Sequence, residues 1–257
     1  MTRLAALIAL AASPVAASPR IVSINPCIDA VLVRVANAAQ IAAISHYSKD
    51  PSATSIPLAV AAHFKATSGT AEEVVALQPD IVIAGEHVAL STQAALARLG
   101  VRLVRYKVPA TIAESAAQVR SIAALVGHAG RGDALAATID KAAVRDLRPP
   151  IPALIWQGGG LVPGAGTLAD DLLRTAGFRN VSASYGLQQW DVLPLEYLVA
   201  KPPAVLFARN DASGRDRMLS HPILRRLASR VVDFPQRLLF CGGPAIPEAL
   251  ARLRAAR

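Results

Sequence analysis

Glu72 and Glu196 belong to one template used twice: Glu72-Glu-Val-Val-Ala-Leu-Gln-Pro79-Asp-Ile-Val-Ile-Ala and Glu196-Tyr-Leu-Val-Ala-Lys-Pro-Pro203-Ala-Val-Leu-Phe-Ala. Each copy reads as an acidic residue in a helix's first turns, a short apolar helix, a proline seven residues on, then a buried strand. Matched positions lie 124 residues apart throughout (72 to 196, 79 to 203). A carboxylate so placed complements the helix dipole, worth under about 1 kcal/mol. A repeat of that length implies two similar α/β lobes with a glutamate at the same place in each, and paired lobes enclose a cleft.

The other reactive side chains are sparse. The five histidines, His46, His63, His87, His128 and His221, show no His-x-x-x-His or His-Glu-x-x-His spacing, so no dedicated metal site is expected. His46 and His87 follow strands of the first lobe, where a cleft would be, although loop histidines more often face solvent. Gly-x-Ser-x-Gly is missing, and no Ser, His and acid set stands at recognisable strand ends. Gly164-Ala-Gly166-Thr-Leu-Ala169 loosely satisfies a dinucleotide fingerprint. No acidic residue follows at the end of a suitable strand, however, and glycines of a cleft loop explain it better. No Walker phosphate loop is present, and no cofactor is expected.

Trp156 and Trp190 are the only tryptophans, both in the second lobe. An aromatic wall suits a large flat ligand. Trp190 sits in polar Gln188-Gln-Trp-Asp191, whereas Trp156 ends a strand and has a core reading as well. Tyr47 and Arg209 also follow strands, with solvent-facing loop tips as the alternative.

These side chains must be positioned by a chain of 257 residues that is 53% hydrophobic, enough for a sizeable core. Arg3, the apolar run Leu4 to Ala12 and small Val15-Ala16-Ala17 read as a secretory signal over residues 1–17, cut after Ala17; about nine apolar residues are too few for a bilayer needing roughly twenty. No cysteine lies near the cut to carry a lipid. Export leads to an oxidising compartment, where Cys27 and Cys241 are either one bridge or two thiols; their spacing does not decide. The formal charge of +9 is spread over scattered arginines with no dense basic run, which argues against nucleic-acid binding.

The pattern predicts an N-terminal α/β lobe (18–110), linking helices (111–149) and a C-terminal α/β lobe (150–257), each lobe with a central parallel sheet. In the first lobe, strands are expected at 20–24, 41–44, 81–84 and 101–106, with a helix from Asp29 to Ala36 and another from Ser91 to Leu99. Thr70 and Glu73 form a Thr-x-x-Glu capping box that accounts for Glu73 and leaves Glu72 unexplained. Helical spacing runs from Thr111 to Val126, Gly127 to Gly132 interrupts it, and a second helix runs from Asp133 to Leu147, spanning roughly 22 Å before Pro149-Pro150 stops it. In the second lobe, Gly158 to Gly166 reads as a flexible loop.

These residues, from Arg20-Ile-Val-Ser-Ile-Asn-Pro through Ala71-Glu-Glu-Val-Val-Ala-Leu-Gln-Pro-Asp-Ile-Val-Ile-Ala to the last helix, resemble the periplasmic substrate-binding proteins of ABC importers for cobalamin, haem and ferric siderophores. The resemblance implies two Rossmann-like lobes joined by one long helix, little lobe closure, no catalysis and a monomer in the periplasm. It also implies that Glu72 and Glu196 dock on the transmembrane permease. Ser45-His46-Tyr47-Ser48 is similar to a loop of cobalamin-binding members whose tyrosine touches the ligand, and Trp190 to a cleft tryptophan. Ala66 or Thr67, and Gly85, stand where those members carry further tryptophans; the tyrosine that ligates haem in haem-binding relatives has no counterpart before Thr70; and Cys27 is unexpected in the first cleft loop. The expected ligand is a metal chelate, a corrinoid ahead of a ferric siderophore or haem. Tyr47, Trp190 and Trp156 would give apolar contact, and Cys27, Gln157, His87 and Arg209 polar or coordinating contact. The rival classes are a secreted enzyme holding a cofactor at Gly164 to Ala169, and a receptor for bare metal ions using His46, His87 and Cys27.

Overall fold

The computed structural model describes residues 18–209, 217–218 and 220–257; the expected signal segment, residues 1–17, lies outside them. In chain order the elements of the first half are β1 (Ile21–Ser23), α1 (Pro26–Val35), β2 (Ile41–Ser45), α2 (Leu58–Ala62), β3 (Ala66–Thr67), α3 (Ala71–Ala76), β4 (Ile81–Gly85), α4 (Leu90–Arg98) and β5 (Arg102–Tyr106). The linking helices are α5 (Ile112–Leu125) and α6 (Ala129–Ala142). The second half holds β6 (Ile151–Trp156), β7 (Leu161–Pro163), α7 (Leu168–Thr175), β8 (Phe178–Asn180), β9 (Trp190–Val192), α8 (Leu195–Ala200), β10 (Val205–Ala208), β11 (Arg230–Asp233), α9 (Arg237–Phe240) and α10 (Ile246–Ala255).

The two halves build the same sheet. The first is five parallel strands in the order β3-β2-β1-β4-β5, the second four in the order β11-β10-β6-β8. Equating β6, β8, β10 and β11 with β1, β2, β4 and β5 makes the orders identical, and the repeat is kept in register: α3 and α8, like β4 and β10, start 124 residues apart. In both lobes the chain reverses direction across the sheet between the first and third of these strands, the place where open α/β sheets bind ligands beyond their carboxyl ends.

Side-chain alternation along the strands sorts the core into layers. Ile21, Ile81 and Ile83, with Ala153 and Ile155 of the other lobe, join one large cluster that also takes in α1, α5, α6, α7 and α10. Val22 and Val82 face a separate layer under α3 and α4, and Leu154 and Trp156 another with Leu198 of α8. The lobes therefore share one continuous apolar core through the linking helices.

The link is a helical hairpin. Its second helix begins at Ala129 and ends at Ala142, where Asp133 to Leu147 is expected, so the crossing is shared by two 14-residue helices instead of resting on one long one. The turn is Val126 to His128, with Gly127 in the left-handed region at φ of +84°. Gly132 does not interrupt a helix; it lies within α6, where a Cβ would come 2.3 Å from Ala123 Cβ, and so lets α6 close on α5. Gly132→Ala should therefore lower stability by about 1–3 kcal/mol through overpacking, despite alanine's better helix propensity. Urea unfolding would register it, and a stabilised variant would contradict this packing.

The hairpin is pinned at both ends. Near its turn, buried Gln40 donates to Val126 O (3.1 Å) and meets His128 Nε2 through its carbonyl (2.6 Å), and Arg131 donates to Val35 O at the end of α1 (3.1 Å). At the other end Asp171 of α7 accepts from Ile112 N (2.8 Å), a carboxylate at the positive end of α5.

Candidate functional site

A cavity of about 1060 Å³ lies between the lobes. The first lobe lines it with the segments after its strands: Ile24 and Asn25 after β1, Ser68 to Thr70 after β3, Gly85 to Ala89 at the end of β4, and Tyr106 to Ala110 at the end of β5. The second lobe contributes Gln157 after β6, Gly166 to Ala169 at the start of α7, Gln189 and Trp190, and Gln236 with residues 238–243; Gln118 and Val119 of α5 form its back. These are carboxyl ends of parallel strands and helix starts, as the topology requires. The β2 end takes no part.

Local sequence explains this frame. Asn25 caps α1, its side-chain oxygen accepting from Cys27 N (2.9 Å) and Ile28 N (3.2 Å), with Pro26 in the first helical turn. A Cβ at Gly85 would stand 2.7 Å from Asn25 Nδ2, so the residue that replaces an expected tryptophan position is required by the cap behind it. Thr70 accepts from Glu73 N (3.3 Å), but the reciprocal half of the predicted box is not made: the Glu73 carboxylate accepts from Ser68 N (2.7 Å) and Thr67 Oγ1 (2.8 Å) instead, closing the turn after β3. Those hydrogen bonds, the Thr67 hydroxyl first, hold Glu73 below the usual carboxylate range.

Several expected site residues face the cavity. Trp190 is 49% exposed and stands on β9, His87 follows β4 with Glu86 Oε1 3.6 Å from its Nε2, and Gln157 accepts from Gln236 Nε2 (3.3 Å). Cys27 also lines it, but as half of a disulfide with Cys241, Cα to Cα 5.0 Å. A coordinating Cys27 thiol is thereby corrected, and with it the bare-metal reading: the described residues contain no cluster of three or more metal-ligating side chains, and His46 Nδ1 pairs with Thr67 O (3.2 Å).

Three other expectations are corrected. Trp156 is fully buried on the outer face of its sheet, donating to Leu193 O (3.3 Å); strand alternation turns it away from the cleft. Tyr47, half exposed, stacks its ring on His46 (centroids 4.0 Å) beyond β2, outside the cavity wall. Arg209 follows β10 outside the cavity wall and borders a minor crevice that shares Gln157, Gln236 and Leu239 with the cavity. The expected flexible loop 158–166 is instead ordered by β7, which pairs antiparallel with β9 in the register Leu161↔Val192 and Pro163↔Trp190. Gly164 is needed there because a Cβ would stand 1.9 Å from Gln188 O; that close approach, not a pyrophosphate, accounts for the glycine.

Sequence reasoning missed Tyr106, Lys107, Asn25, Gln118, Gln189 and Gln236, all in the wall. Tyr106 ends a correctly expected strand, its hydroxyl 3.1 Å from Ser121 Oγ; position at a carboxyl strand end was the available signal. The wall thus carries five carboxamides and, among the described residues, no arginine.

Asp29 holds the turn after β2. Fully buried, it accepts from Ser45 N (2.9 Å) and Ser48 Oγ (2.6 Å), while its Oδ1 has no partner. Burial pushes its carboxyl up to about 7, against the opposing hydrogen bonds. With the folded value above the unfolded one, the folded state binds more protons. Asp29's contribution is therefore complete below its ordinary value and lost as pH rises through about 7. Urea midpoints should fall from about pH 4 to about pH 7 and level off above it, and Asp29→Asn should flatten that fall; an equal slope in the variant would assign it elsewhere.

Glu72 and Glu196 are both exposed, in the first turns of α3 and α8, and among the described residues neither carboxylate makes a hydrogen bond or ion pair.

A family model described as periplasmic binding protein matches residues 21–230. Similar solved structures include a periplasmic haem-binding protein of Roseiflexus sp. RS-1 in apo form (24% identity, 93% of this chain and 97% of that one, TM-score 0.69). A periplasmic haem-binding protein of Pseudomonas aeruginosa is 22% identical over 93% and 92%, TM-score 0.70. The periplasmic vitamin B12-binding protein of Vibrio cholerae is 16% identical over 93% and 96%, TM-score 0.72. No curated protein matches the chain.

Proposed function

The chain belongs to the periplasmic binding protein family, and from that premise we propose that it captures a metal chelate of the corrinoid class between its lobes and presents it to the transmembrane permease of an ABC importer, with no catalytic step. The observation that carries the corrinoid is the cleft's chemistry: five carboxamides, Asn25, Gln118, Gln157, Gln189 and Gln236, beside the Trp190 ring and an apolar wall of Ile24, Ile28, Val31 and Leu172. Carboxamides match the hydrogen-bonding edge of a neutral, amide-bearing macrocycle, and the apolar wall its flat face. An anionic ferric siderophore would call for guanidinium forks, yet among the described residues Lys107 and the half-opposed His87 beside Glu86 are the basic side chains of the wall. The basic charge of the molecule lies elsewhere on its surface.

Haem is the second reading, because His87 and Tyr106, two side-chain types that ligate haem iron, both face the cavity. Visible absorbance after desalting separates the two. The protein incubated with cyanocobalamin should retain it at one per chain. Retention of haemin alone, with a spectrum altered by His87→Ala or Tyr106→Phe, would replace the corrinoid by haem. Trp190→Ala should weaken retention about tenfold, from ~1.4 kcal/mol of aromatic contact; unchanged affinity by titration calorimetry would remove that ring from the site. The rival cofactor enzyme predicts a nucleotide-dependent thermal shift, which should be absent.

On this reading the mature protein works in the periplasm, and Glu72 and Glu196 are the charges that meet the permease, one from each lobe.

A further inference from the structure

The Cys27–Cys241 bridge lies in the wall of the cleft and ties one lobe to the other. Cys27, half-buried, is in the first turn of α1; Cys241, buried, follows α9, 214 residues later. Beside it the C-terminal lobe is pressed onto α5: Gly243 N donates to buried Ser115 Oγ (2.7 Å), and a Cβ at Gly242 would come 2.4 Å from the same oxygen. Both cysteines and both glycines line the cavity. At this edge a covalent bond and a buried hydrogen bond close the floor between lobes that are otherwise joined in sequence by the α5–α6 hairpin.

We propose that this disulfide is a redox-controlled staple and part of the ligand-contact surface: oxidised, it holds the cleft floor at its ligand-accepting width, and a bound ligand covers it. The contact half of the proposal rests on the cleft being the ligand site; the staple half does not. Cys27 is the less buried cysteine of the pair, so its Sγ is the sulfur proposed to be attacked. A thiolate entering through the empty cleft bonds to it and expels Cys241 as a thiolate, which takes a proton; a second thiolate then attacks the mixed disulfide and releases Cys27. Two external thiols are oxidised to one disulfide and two cysteine thiols form. Reduction frees the floor to part along the Gly242-Gly243 edge, and the ligand loses one wall.

The test uses the full mature chain without ligand, as oxidised wild type, as wild type reduced by dithiothreitol, and as the double variant Cys27→Ser, Cys241→Ser, each checked by circular dichroism. Small-angle scattering should show a larger radius of gyration in the reduced and variant proteins at unchanged helix content. Superposable profiles would overturn the staple, as would loss of the dichroism signal in both forms, which would make the bridge a folding requirement. The second arm follows thiol release by dithiothreitol with and without cyanocobalamin, or haemin if that is the chelate retained. With the chelate at ten times its Kd, release should slow about tenfold, since only the empty fraction exposes Cys27. Equal rates at saturation would overturn the contact. If oxidised wild type retains neither chelate, the functional reading fails and the contact half falls with it, while the scattering arm still decides the staple.

Discussion

Charge reversal at either glutamate, Glu72→Arg or Glu196→Arg, is expected to abolish chelate uptake in cells while leaving the affinity of the purified protein within about twofold. Both carboxylates are exposed, both open a six-residue helix at the same place in the internal repeat, and neither has an internal partner among the described residues. Within the protein each can do little more than complement a helix dipole, under about 1 kcal/mol, so the variants should fold. Across an interface, however, a misplaced like charge costs several kcal/mol, enough to remove productive docking. Transport of labelled ligand and calorimetric titration on the same variants make the comparison. Lost affinity in the titration would put these side chains in the cleft; intact transport in both variants would end the docking assignment.

Eliminating the disulfide should lower the free energy of unfolding by about 2–5 kcal/mol. Closing a loop of 214 residues removes much chain entropy from the unfolded state, which points to the upper end of that range. The continuous core through α5 and α6 acts in the other direction, since it holds the lobes together without the bridge. Urea midpoints of oxidised and reduced protein read the balance. Coincident curves would mean that the shared core alone fixes the lobe arrangement.

Which parts of this architecture the sequence discloses follows from how each signal is written. The duplicated template is local, so the two lobes, their parallel sheets and both glutamates are legible from it. The orientation of Trp156 is not. In Ala153-Leu154-Ile155-Trp156 every residue is apolar because both faces of the strand are buried, and alternation carries no inside or outside label. The β7–β9 ribbon escapes for another reason: two three-residue strands among glycines resemble loop, and their pairing spans some thirty residues. Tyr47 fails as a ligand contact although β2 lies between β3 and β1, whose ends do border the cavity: the chain coils at His46–Lys49 directly after β2, and the Tyr47 ring packs on His46 instead of entering the cleft. The cysteine pairing depends on the two lobes meeting, a tertiary fact with no local trace. Tyr106 and the carboxamides were individually unremarkable in sequence and acquire meaning only as a set around one space.

The ribbon that carries Trp190 belongs to one lobe only. The two sheets are near-duplicates, yet the second lobe lines the cleft with Trp190 of this ribbon and the first with the short turn after β3, where Ser68 to Thr70 sit. The two halves of the wall are consequently unequal: an aromatic comes from one lobe and small hydroxyl-bearing residues come from the other. On the proposed reading, a guest with two unlike edges would be admitted in one orientation.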